Sequence, residues 1–346
     1  MGLRFEIKAA GLSDEQAATL EALAGNVHAI LEHLATDCGI PEFDVRVVAA
    51  SDFAGEVRTI LRHLDGANDD GGEVFTTERI GGAVTGKCIP LTGDCSDQVI
   101  VLDRAACMVD DPNGQAWFVS LLAHELAHAV IGRARHASGA LEGVPRVSVN
   151  GVDRAKSIAR IAAEEYRVDV ISSILLGGLG SVADEQGAAR PATAHDLLGD
   201  CHRDELRQAL DTTVHPGWPD TVQRYREHQM PLEELWREIS LSTEGVLTLV
   251  AHAEAHAALG ATRSPLDELA RHRGVELYLT PAWQALLQAI GSEAALPTME
   301  ATYAYEQRIA DAGGQAILAM WHHLGLDVEI DPRSGQFALW VSAPRR

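Results

Sequence analysis

Apolar residues recur with a helical period from Asp14 to about Ala35, with Ser13 placed as an N-cap and Gln16 three residues after it, the spacing of a capping box. Phe43-Asp44-Val45-Arg46-Val47-Val48 then alternates like a strand, and the helical period returns from Asp52 to Leu64. Gly81 to Ile89 predicts a strand bearing glycines, followed by a turn at Thr92-Gly93-Asp94, and Gln98-Val99-Ile100-Val101-Leu102-Asp103 is the cleanest strand pattern of the chain. One helix is predicted from about Gly114 to Arg135 and another from roughly Val152 to Leu176. Gly177 to Pro191 reads as a Gly/Ala-rich connector and is expected to be a mobile loop. From Ala194 to Leu259 the pattern is mostly helical, with breaks at His215–Pro219 and near Met230-Pro231. The tail predicts a strand at Val275–Leu279, helices to about Leu324, and a hairpin from Leu326 to Val341 that turns between Asp331 and Gly335. The expected fold class is α+β, divided into a core over residues 1–180, a helical extension over 181–263 and a small α+β accessory region over 264–346. No internal repeat is visible.

Within the first long helical pattern lies His124-Glu125-Leu126-Ala127-His128. Two imidazoles four residues apart on a helix point the same way and can grip one metal ion, and the Glu after the first His lies beside that metal, placed to take a proton from water. Phe118 to Ala123 leads in and Ala129 to Ile131 leads out without a charge, so these flanks would bury the helix and dry the site. The plain alternative is a buried helix with satisfied histidines, but burying three polar side chains without a partner is expensive.

Catalytic zinc takes three protein ligands and keeps a fourth position open. An extended HExxHxxGxxH pattern would need Gly and His where Ile131 and Ala134 stand, and His136 comes two places too late. The second helical pattern instead offers Glu164-Glu165-Tyr166-Arg167-Val168-Asp169. Glu165 and Asp169 are four apart and share a face, which suits a ligand carboxylate followed one turn on by a carboxylate holding the remaining N–H of a ligand His. Glu164 is the rival ligand, without an Asp or Asn four residues later. A solvated acidic face is the alternative for this pair.

HELAH at 124–128 followed by EYRVD at 165–169 resembles the HExxH…ExxxD pairing of the gluzincin zinc metallopeptidases, with HtpX-like endopeptidases and ImmA/IrrE-type proteins as the nearest variants. The resemblance implies a zincin-like core, a small twisted sheet with the HExxH helix and the Glu helix. It implies Zn2+ bound by His124, His128 and Glu165, with Glu125 as general base and Asp169 as partner of a ligand His. It also implies an edge strand that binds substrate by adding it to the sheet, expected at Gly82 to Gly86, the alternative for that segment being a glycine-kinked hairpin with no ligand. A donor should stabilise the oxyanion opposite the metal. The candidates are His215, Tyr166, His202 and Tyr225, with His215 preferred because His215-Pro216 loosely resembles a His-Pro segment of HtpX-like enzymes. HtpX-like enzymes span membranes, whereas this chain lacks an apolar run of the ~20 residues needed to cross a bilayer.

The formal charge of −22 in 346 residues argues against nucleic acid and against anionic membranes as partners, because both demand a basic patch. The N-terminus shows neither the apolar core of a signal peptide nor, with Glu6, a myristoylation motif. Cys38, Cys88, Cys95, Cys107 and Cys201 contain no CxxC pair, so reduced thiols and a cytoplasmic location are expected. His252-Ala253-Glu254-Ala255-His256 also sets two histidines at metal spacing, but with no third ligand evident nearby it reads as a solvated, Ala-rich helix. The expected function is hydrolysis of peptide bonds in a protein or peptide substrate. The alternatives are a regulatory or sensor protein of the ImmA/IrrE kind acting on one partner, and a non-catalytic interaction module.

Overall fold

Strands buried on both faces read as continuous apolar runs, and Val99-Ile100-Val101-Leu102 is such a run at the centre of a sheet. The computed structural model describes residues 2–7, 12–64, 78–80, 82–142, 150–183, 189–193, 195–196, 201–260, 262–291, 296–330 and 337–344. In chain order its first elements are β1 (Gly2–Ile7), α1 (Asp14–Asp37), β2 (Asp44–Ala50), α2 (Phe53–Leu64), β3 (Glu78–Arg79), β4 (Gly82–Ala83), β5 (Gly86–Pro90), β6 (Asp97–Asp103) and α3 (Pro112–Ala137). The sheet order is β1-β2-β6-β5, with β1, β2 and β6 parallel and β5 antiparallel at the edge.

Alternation sorts the side chains of this sheet. Val48, Ala50, Val99 and Val101 pack with Phe53, Val57 and Ile60 of α2 on one face. Val47, Ala49, Ile100 and Leu102 point the other way and are as deeply buried. Gln98 shares that second face, and its amide reaches α3. The capping box of α1 forms as its spacing predicts, with Ser13 Oγ accepting from Gln16 N–H and Gln16 accepting from Ser13 N–H.

Three local expectations need correction. Gly81 to Ile89 is not one strand, since β4 pairs with β3 while β5 pairs with β6, so the edge strand of the sheet begins at Gly86 rather than ending there. Gly177 to Pro191 is not a plain loop among its described residues. The helix before it runs to Leu179, and Ser181–Ala183 pairs with Ala189–Pro191. Val275–Leu279 is a π-helical turn rather than a strand, because Val275, Tyr278 and Leu279 bury themselves at helical spacing despite their strand-like composition. β1 was not expected at all, although Leu3-Arg4-Phe5-Glu6-Ile7 alternates as a strand should.

After α3 come α4 (Gly151–Leu179), β7 (Ser181–Ala183), β8 (Ala189–Pro191), α5 (Cys201–Ala209), α6 (Gly217–Arg226) and α7 (Leu232–Leu259). They are followed by α8 (Thr280–Ile290), α9 (Met299–Arg308), α10 (Gly314–His323) and the hairpin β9 (Leu326–Ile330) with β10 (Phe337–Val341). The turn expected between Asp331 and Gly335 lies outside the described residues. The chain is thus α+β and mostly helical. It divides into two units, one of Met1–Gly139, Val168–Leu197 and Ala295–Thr302, the other of Ala140–Arg167, Leu198–Ala294 and Tyr303–Arg346. Among the described residues no helix is long and apolar enough to cross a membrane, and the five cysteines form no disulfide with one another.

The second unit holds a fully buried ion pair. Arg167 Nη1 donates to Glu306 Oε1 at 2.7 Å, both side chains are at most 1% exposed, and the guanidinium lies 4.6 Å above the Tyr305 ring centre. Removing one partner of such a pair strands the other charge in a dry interior. Arg167→Met should lower unfolding free energy by about 3–5 kcal/mol, read from urea titration of the full chain. A loss below ~1 kcal/mol, the range of exposed pairs, would show that the pair is not desolvated in solution.

Candidate metal centre

α3 starts where Asp111 caps it, Oδ1 accepting from Gly114 N–H at 2.8 Å, with Pro112 in the first turn, where its missing N–H costs nothing. Gly114 is needed there, since a Cβ would come within 2.1 Å of Met108 O. The helix is then buried along most of its length, including Phe118, Leu122, Leu126, Val130 and Ile131. Gln98, 2% exposed on β6, donates its amide to Cys95 O at 3.0 Å and to Ala129 O at 2.8 Å. Ala129 directly follows His128, so the strand grips the helix beside the motif.

On this helix His124 and His128 turn their imidazoles toward each other. Nε2 to Nε2 is 3.3 Å, with ring centres 4.9 Å apart. Glu165 on α4 completes a group of three whose ligand atoms all lie within 4.8 Å of one another. Two neutral imidazoles and a carboxylate are an N2O donor set suited to a first-row transition metal. The fit is supported by Asp169, 2% exposed, whose Oδ1 lies 3.1 Å from His124 Nδ1. That contact occupies Nδ1 and leaves Nε2 with its lone pair for a metal. Asp169 stands one turn after Glu165 on the same helix, which starts at Gly151 just after Asn150, whose Oδ1 accepts from Asp153 N–H at 2.8 Å.

Glu125 is 6% exposed and lies beneath the edge strand. A Cβ on Gly86 would come within 2.7 Å of Glu125 Oε1 and 3.0 Å of Glu125 Cγ and of Leu121 Cδ1. Gly86 pairs with Leu102, so its missing side chain points to the face of the sheet that carries Gln98 and meets α3. Glycine is what lets β5 lie this close to the Glu125 carboxylate.

Each of the other candidates has contacts of its own. His215 follows the π turn after α5, and its ring contact is with His272, 6.5 Å between centres, whose Nε2 pairs with Asp211. Tyr166 packs edge-on against Trp283, and burial, with the Glu254 carboxylate as the lesser cause, raises its phenol pKa. Tyr225 is half-buried on α6. His202 lies against His252 and His256. His252 was missed as a neighbour of the site: its Nε2 is 3.8 Å from Glu165 Oε2. The signal was present in the spacing of His252 and His256, but the expected solvated helix is wrong, for Glu254 is 8% and His256 2% exposed.

The geometry separates the two neighbouring glutamates. Glu165→Ala should remove metal from the purified chain and Glu164→Ala should retain it, measured by elemental analysis after dialysis. Asp169→Asn should weaken metal binding about 10- to 100-fold, the usual effect of disturbing a ligand's hydrogen-bond partner. Metal loss from Glu164→Ala with retention in Glu165→Ala would move the ligand by one residue.

No family model, no curated protein and no solved structure matches this chain.

Proposed function

We propose that this protein is a zinc-dependent metallopeptidase with a zincin-like core, acting on a protein or peptide substrate in the cytoplasm. The observation that carries the reading is the convergence of His124, His128 and Glu165, with Glu125 set between the two histidines in sequence and held under β5. Zinc bound by the three side chains would polarise the scissile carbonyl and lower the pKa of water at the site. Glu125 takes the proton from the attacking water and delivers it to the leaving amine nitrogen. Asp169 holds His124 in the tautomer that ligates through Nε2. The outer edge of β5 offers backbone groups to an extended substrate, and Gly86 keeps the strand close to Glu125. Reduced thiols at all five cysteines suit the cytoplasm.

A second reading, a regulatory peptidase of the ImmA/IrrE kind with one partner as substrate, draws on the burial of Glu125. A base 6% exposed beneath an edge strand suits one fitted chain better than generic unfolded protein.

Glu125→Gln tests both, because the amide is nearly isosteric and cannot take the proton. Metal content and melting temperature should be unchanged while hydrolysis falls by at least about 10²–10⁴-fold. Casein serves as the generic substrate, and a protein co-purified with the chain as the specific one. Cleavage of casein by wild type supports a general peptidase, and cleavage of the co-purified protein alone supports the regulatory reading. Equal activity of wild type and Glu125→Gln would overturn the proposal. Gly86→Ala should lower the rate with metal retained, since its methyl group displaces the Glu125 carboxylate.

A further inference from the structure

His202 and Glu205 are three apart on α5, and His252 and His256 are four apart on α7, the helix that packs against it. The contact between the helices gathers imidazoles. His202 stacks on His252 with ring centres 4.7 Å apart and lies 4.9 Å from His256, whose Nδ1 is 3.3 Å from His202 Nδ1. His256 is 2% exposed. These are the same separations that His124 and His128 show, 4.9 Å between rings and 3.3 Å between facing nitrogens. Two nitrogens bonded at about 2.0–2.1 Å to one tetrahedral ion stand about 3.3 Å apart.

Glu205 adds a carboxylate. Its Oε1 accepts a weak bond from Cys201 Sγ at 3.5 Å, while Oε2 is buried and accepts no hydrogen bond among the described residues. Desolvation raises its pKa, and the nearby His252 opposes that rise. A buried carboxylate oxygen with no donor is a rarity that a bound cation would account for.

We propose that His202 and His256 are the core of a second transition-metal site, with His252 and Glu205 as its further donors. Imidazole-rich sets with one carboxylate favour zinc, cobalt or nickel over magnesium or calcium. The His202–His256 pair already stands at ligand spacing. Among the described residues no third donor joins it within the 4.8 Å envelope of the His124, His128 and Glu165 group, so the long Glu205 side chain or the His252 ring would have to rotate to close the shell. The competing account is an N–H···N hydrogen bond between two neutral imidazoles, with no ion. The site adjoins the peptidase centre through His252, whose Nε2 lies 3.8 Å from Glu165 Oε2, but its His202–His256 core shares no residue with that centre.

Metal stoichiometry decides between the two. The full chain is saturated with zinc, dialysed against metal-free buffer and assayed by elemental mass spectrometry, with circular dichroism as the fold control. The expected content is two ions per chain, falling to one in His202→Ala, one in His124→Ala and none in the double variant. Should His202→Ala fail to fold, His202→Gln and Glu205→Gln are judged by the same count. A single ion that disappears in His124→Ala and persists in the His202 or Glu205 variants would overturn the second site. So would two ions that those variants leave untouched. An ion lost only with His202 would sustain this site while removing the peptidase centre, and a metal-free wild type would remove both.

Discussion

A buried helix that carries two imidazoles and a carboxylate needs partners for its polar groups, and the unit built on the β1-β2-β6-β5 sheet supplies one to His124 and one to the helix backbone. Asp169 takes His124 Nδ1 at 3.1 Å, while Gln98 anchors the helix backbone beside His128 at Ala129 O. The even-numbered residues of β6 therefore divide their work. Ile100 and Leu102 give α3 an apolar floor, and Gln98 spends an amide on holding it in register. Leaving such groups unpaired would cost on the order of 1–3 kcal/mol each. The apolar flanks of the motif and the polar contacts at His124 and Ala129 thus belong to one arrangement, in which burial is offset where the polar atoms are paired.

Where local chemistry decides, the sequence was legible. The capping box at Ser13 and Gln16, the apolar run of β6 and the uncharged flanks of HELAH each predict an element that the structure contains. The pairing of Glu165 with Asp169 was readable for the same reason, since residues four apart on one helix share a face. Glu165 joins His124 and His128, and Asp169 reaches His124.

Legibility failed where tertiary packing chooses between local options. Val275–Leu279 has strand composition yet forms a π turn, because the apolar residues at 275, 278 and 279 are buried as a helical stripe. Gly82 to Gly86 was placed on the edge of the sheet for its missing side chains, and of these residues Gly86 lies on that edge, in close approach to Glu125. The histidines of α7 looked solvated because alanine surrounds them. Their partner His202 lies fifty residues away in sequence, so only helix packing reveals it.

The choice of Glu165 over Glu164 follows from the rotational phase of α4. Successive residues on a helix turn by about 100°, so Asp169 lies within about 40° of Glu165, whereas Arg167 points almost the opposite way. Asp169 is held by His124, and Arg167 is held by Glu306 and Tyr305, all but solvent-free. Turning the helix by the 100° that separates Glu164 from Glu165 would break the Arg167–Glu306 contact. Glu165 lies on the Asp169 side of that axis, where its Oε2 faces His252 at 3.8 Å. Within its own unit, the buried ion pair at Arg167 therefore helps to fix the phase of the helical turn that carries Glu164 and Glu165.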